Sequence, residues 1–183
     1  MNLNSEMQEV INKDLLSKDR KKTIQTLSSL ENMLRAKEAN ASSIPPLTLL
    51  LIDVDIGIRR QAIWSIGKLA QNKVTGDYPV DDLINLLADE DSEVRENAAW
   101  ALGELAGIGV GKEEAICVLN VLIQDHDPNV RSMAIWTLGR MAERMHLSQS
   151  SSVLMLKESL MDDRLLIRKG AEWALERMRS SRL

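Results

Sequence analysis

The residues best suited to chemistry are carboxylates. Asp-x-Asp pairs such as Asp125-Asp127 offer hard oxygen ligands of the kind that hold a divalent cation. A second use accounts for both acids without a metal: one partners an arginine and the other caps a helix. Histidine is scarce, with only His126 and His146, so a histidine-rich zinc or iron site is not available, and neither metal nor cofactor is expected. "GIGVGK", Gly107 to Lys112, superficially suggests a phosphate loop. That motif requires Gly where Ala106 stands and Ser or Thr where Glu113 stands, and no strand precedes it. An inter-repeat turn is the better reading. The cluster "SQSSS", Ser148 to Ser152, lacks a nucleophile-elbow pattern and reads as a linker and helix cap. Asp81-Asp82 and Glu113-Glu114 fall at helix starts, where acids favour the dipole. Cys117 lies within the apolar run "AICVLNVLI" and is expected to be a buried, inert thiol. No catalytic residues emerge, and the chain reads as a non-enzyme.

Composition narrows the class further. Apolar residues make up 44% and charged residues 27%, enough for a core and too few charges for disorder. The longest apolar run, Leu47 to Ile52, is far short of the roughly 20 residues that span a bilayer. The start, "MNLNSEMQEV", lacks a signal-peptide pattern, and one unpartnered cysteine suits a reducing cytoplasm. A net charge of −4 weighs against a dedicated nucleic-acid binder, although the charge is uneven. Residues 79–112 hold eight acids and two bases, while 149–183 hold seven bases and five acids. With no Phe, one Tyr and four Trp, the core must be built from Leu, Ile, Val, Ala and Met, as closely packed helices prefer.

The elements that position these residues are repeated. Trp64, Trp100, Trp136 and Trp173 are spaced by 36, 36 and 37 residues, the signature of a solenoid. Asp53, Asp89, Asp125 and Asp162 are each followed six residues later by Arg59, Arg95, Arg131 and Arg168. Val94, Ala98, Leu102 and Leu105 follow at intervals of 4, 4 and 3, one face of an α-helix. Asp127 and Pro128 mark the start of such a helix, and Asp55 and Asp91 fall in the same register. Arg164 stands there in the fourth copy, and Glu176 breaks the column formed by Gly67, Gly103 and Gly139. Both features suit a terminal repeat. A shorter apolar segment precedes each helix, and Pro45 and Pro79 are placed to open two of them. The expected fold is all-α: about five antiparallel helix pairs stacked in a right-handed superhelix. Residues 1–43 would form a degenerate helical cap, with helices over 5–16 and 20–39. Four repeats at about 44–74, 79–110, 113–147 and 149–183 would form one continuous array.

This grammar resembles the HEAT repeat, particularly the short HEAT-like form first noted in phycobilisome lyases. "DEDSEVRENAAWALGEL" carries the family's Asp, Val-Arg and Ala-Ala-x-Ala-Leu-Gly pattern, and the likeness covers roughly residues 44–179. The resemblance implies a hydrogen-bonded ladder linking successive repeats, in which Asp53, Asp89, Asp125 and Asp162 pair with Arg59, Arg95, Arg131 and Arg168. It also implies that the second helices line a concave surface. Deoxyhypusine hydroxylase, a HEAT-like enzyme, binds iron through His-Glu pairs. The matching helices here read "RRQA", "RENA", "RSMA" and "RKGA", with no His, so that activity is excluded.

Helical geometry puts each Trp on the flank or open side of its helix, roughly 120° from the centre of the buried face. Two roles fit. Each indole could seal the seam to the next repeat, or the four could form a recognition row, since Trp is the favoured anchor of protein interfaces. Their neighbours on the same side vary: Gln61 and Lys68, Asn97 and Glu104, Met133 and Arg140, Gly170 and Arg177. Constant aromatics with variable polar neighbours suit an extended or helical peptide of mixed charge. The expected function is therefore a cytoplasmic scaffold gripping a partner protein along this row. Two alternatives stay open: a nucleic-acid-binding HEAT-like protein, and a HEAT-like lyase subunit or chaperone-like accessory factor.

Overall fold

A computed structural model describes residues 3–145 and 150–180. The readings placed on His146, Ser148 and Gln149 lie outside the described residues. By packing, the chain divides into two compact units, Met1–Pro79 and Val80–Leu183. Within the first unit the helices of residues 3–43 pack with those of the first repeat.

In the first unit, α1 (Leu3–Leu15) pairs with α2 (Arg20–Ala36), and α3 (Ile44–Leu50) pairs with α4 (Ile56–Gln71). Asp19 starts α2 by accepting from the Lys21 N–H, and Lys37, at φ 61, ends it. Asp55 starts α4 by accepting from the N–H groups of Gly57 and Ile58. The two pairs stack through α2 on α4 and α1 on α3. Leu30, Leu34, Leu47 and Leu51 are fully buried in the unit's core. Each contributes about 1.5–3 kcal/mol by leaving water.

Among the described residues the second unit holds six helices: α5 (Val80–Leu86), α6 (Ser92–Gly107), α7 (Glu114–Leu122), α8 (Pro128–Met145), α9 (Ser150–Ser159) and α10 (Leu165–Ser180). They pair as α5–α6, α7–α8 and α9–α10, and the longer second helices form a layer in which α6 packs on α8 and α8 on α10. Small residues permit this approach. Ala98, Ala99, Ala101, Ala106, Ala134 and Ala142 are all buried, and Thr137 donates its hydroxyl to the Ala99 carbonyl across the seam at 2.7 Å. Both units are thus stacks of antiparallel helix pairs, the architecture of an α-solenoid, with no strand among the described residues. Among the described residues no helix is long and apolar enough to cross a membrane.

Two expectations change. Cys117 is exposed, not buried: the inward stripe of α7 is Ala115, Ile116 and Leu119, and residue 117 falls outside it. Ser151 and Ser152 lie in the first turn of α9 and are helical, whereas a linker and helix cap were expected there.

Candidate protein-binding surface

The turn between the two helices of each repeat is built by its first Asp. Asp53, Asp89, Asp125 and Asp162 each accept, through Oδ1, the backbone N–H two residues on, at 2.8–2.9 Å. The arginine six residues on closes the turn. Arg59, Arg95, Arg131 and Arg168 each donate Nη1 to the carbonyl of their own Asp, at 2.7–2.9 Å. The carboxylates are used one repeat further along. Arg95 donates Nε and Nη2 to Asp125, at 2.8 and 2.9 Å, and Arg131 donates Nε to Asp162 at 3.1 Å. Each of these arginines thus meets its own Asp through the carbonyl, onto which the short turn directs it, while Arg95 and Arg131 link repeats through the carboxylates of Asp125 and Asp162. In the first unit Arg20, outside the repeat pattern, supplies the guanidinium for Asp53 at 2.8 Å.

Both side chains of the Arg95–Asp125 pair are only 7% exposed. Burial by itself would push the Asp125 carboxyl up. Hydrogen bonds from Arg95 and the Asp127 N–H outweigh it and hold the carboxyl below its ordinary value. The acids at the turns thus have protein partners, and among the described residues no cluster suited to a metal ion occurs.

Trp136 and Trp173 share one geometry. A methyl group built on Gly103 would overlap the benzo edge of Trp136 and come within 3.0 Å of Thr137 Oγ1. One built on Gly139 would overlap Trp173 in the same way. Gly103 and Gly139 are thus each the seat for the indole of the next repeat, and Glu176, exposed on α10, offers none. The other face of each ring lies under the arginine one turn on: Arg140 sits 5.5 Å from the Trp136 centroid and Arg177 5.7 Å from that of Trp173. Trp64 is covered from α2 by Arg35, at 5.3 Å. All four indoles are half-buried.

The remaining sequence-chosen residues are distributed unevenly. Gln61 donates to Glu31 at 2.9 Å, and Lys68 donates to Gln71 at 2.6 Å. Glu104 lies 4.0 Å from Arg140, and Arg177 lies 3.9 Å from Glu143. Asn97 is half-buried. Gly107 ends α6, and Gly109 (φ 78) and Lys112 follow in the inter-repeat turn, where Lys112 pairs with Asp81 at 2.6 Å.

Met133 enters a cleft of about 540 Å³ at the starts of α6, α8 and α10. Its other walls include Glu96, Ser132, Arg164, Leu165 and Leu166. Leu165 and Leu166 remain 56% and 72% exposed. Burial, then the like charges of Asp127 and Glu93, push the Glu96 carboxyl above its ordinary value. Apart from Met133, the sequence reading missed these residues. It followed the side chains flanking each Trp, whereas the position one after the ladder arginine faces the open side. That column reads Arg60, Glu96, Ser132 and Lys169 and was visible in the sequence.

The HEAT-repeat family model matches residues 44–119 and 80–176, and the chain belongs to this family of stacked helical repeats. No curated protein sequence matches it. Among solved structures it is similar to a designed armadillo repeat protein in complex with the peptide (KR)4, at 19% identity and TM-score 0.72, covering 92% of this chain and 80% of that one. It is also similar to the complex of CpcE and CpcF of phycocyanin lyase from Nostoc sp. PCC7120, at 19% identity and TM-score 0.73, covering 94% of this chain and 65% of that one. An engineered protein gives 23% identity and TM-score 0.73 over 93% of this chain and 47% of its own. At these identities the likeness establishes the fold.

Proposed function

We propose that this protein is a non-enzymatic interaction module that holds an extended or helical segment of a partner protein on the layer formed by α6, α8 and α10. The observation that carries the reading is the cleft around Met133, an open, partly apolar hollow on that layer. The designed armadillo neighbour, described as a complex with a peptide, lends the reading further support. Trp100, Trp136 and Trp173 contribute exposed indole area beside bound chain, and Arg140 and Arg177 set polar contacts around it. One packed edge and one open edge let an indole serve both seam and partner. The same reading takes the protein to work in the cytoplasm without metal or cofactor.

Site-specific photo-crosslinking tests this. A photoreactive residue at Met133 should trap discrete protein partners in native lysate, and one at Cys117, exposed on α7 among the first helices, should not. Equal trapping at both positions would refute the assignment of the surface.

A further inference from the structure

The cleft on α6, α8 and α10 is polarised. At the α6 rim stands Glu96, with Glu93 on the same helix and Asp127 on the adjoining turn as like-charged neighbours. Among the described residues its side chain has no ion-pair or hydrogen-bond partner. The opposite rim carries Arg164, at the start of α10, and Lys169 occupies on α10 the register that Glu96 occupies on α6. Met133 of α8, the helix between them, lines the floor, and the exposed Leu165 and Leu166 follow Arg164 on α10. Acid, apolar floor and base therefore follow one another across the layer.

Resting on the protein-binding reading above, we propose that the cleft takes a partner segment with a basic residue at the α6 rim, an apolar residue over Met133 and an acidic residue at the α10 rim. Neighbouring helices lie about 8–10 Å apart, so the two rims are separated by roughly 20 Å. An extended chain advances about 3.3 Å per residue, which puts the base and the acid about six residues apart. A leucine-sized side chain belongs midway. A segment of single charge would meet its own sign at one rim, so charge order across the apolar centre sets specificity.

The test uses the full chain and end-blocked, fluorescein-labelled peptides followed by fluorescence polarisation. The probe is Lys-Ser-Ser-Leu-Ser-Ser-Glu; its comparators carry Lys at both ends or Glu at both ends. The mixed peptide should bind about tenfold more tightly than either comparator at low salt, and the difference should shrink as salt rises. Glu96→Lys, with its helical circular dichroism retained, should move the preference to the peptide with Glu at both ends. Equal binding of all three, an unchanged order with Glu96→Lys, or no binding by any would overturn the proposal. In each case, crosslinking at Met133 but not at Cys117 would leave the broader reading standing, and its absence would remove both.

Discussion

Replacing Gly103 by Ala sets two effects against each other. Alanine is the better helix former by about 1 kcal/mol, and Gly103 lies inside α6, so propensity alone favours the change. Against it, the new methyl would overlap the Trp136 ring, which is held on its other face by Arg140. Overpacking of this kind costs about 1–3 kcal/mol. If the indole swings out instead, half of the roughly 200 Å² it can bury is returned to water, a loss of about 2.5 kcal/mol at 25 cal/mol per Å². The net effect is a destabilisation of up to about 2 kcal/mol, or up to about 8 °C for a chain of this size. Gly170→Ala is the internal control. Gly170 is inside α10, its added methyl would meet only Ile135 Cγ2 at an ordinary 3.5 Å, and the change should stabilise by up to about 1 kcal/mol. Urea and thermal melts followed by circular dichroism measure both. Equal stabilisation by Gly103→Ala and Gly170→Ala would show that no indole is seated on Gly103.

The buried ladder supplies a second prediction. Arg95→Met leaves Asp125 charged and without its guanidinium partner in a site only 7% exposed, and should cost about 3 kcal/mol near neutral pH. Since the Asp125 carboxyl is depressed on folding, its contribution is full above the unfolded value near pH 4 and is lost as pH falls through the folded value; acid titration of stability should be shallower in Arg95→Met than in the parent. Arg168→Met, which among the described residues removes donors only to the carbonyls of Asp162 and Asp163, should cost less than Arg95→Met by urea unfolding. The exposed Cys117 should titrate with Ellman's reagent in native buffer at close to one equivalent; a thiol that reacts only in denaturant would contradict its placement on the open side of α7.

The repeat, the helix pairs and the buried stripe were legible in the sequence because they depend on local rules. Helical periodicity, Asp caps and the 36-residue spacing of Trp are one-dimensional signals that packing of identical modules preserves. What neighbouring helices decide was not legible. Whether Asp125 meets Arg131 of its own turn or Arg95 of the preceding repeat depends on the distance between α6 and the α7–α8 turn, which spacing along the chain does not encode. The purpose of Gly103 and Gly139 appears only when the next helix brings an indole onto them. Likewise Cys117 sits in an apolar run yet faces outward, because a helix has two sides and only its neighbours select the buried one. The cleft at Glu96 and Met133 exists only where three helix starts converge. Sequence alone therefore determined the module and its period, and tertiary packing decided which residues meet between modules, since those contacts depend on distances that no single helix contains.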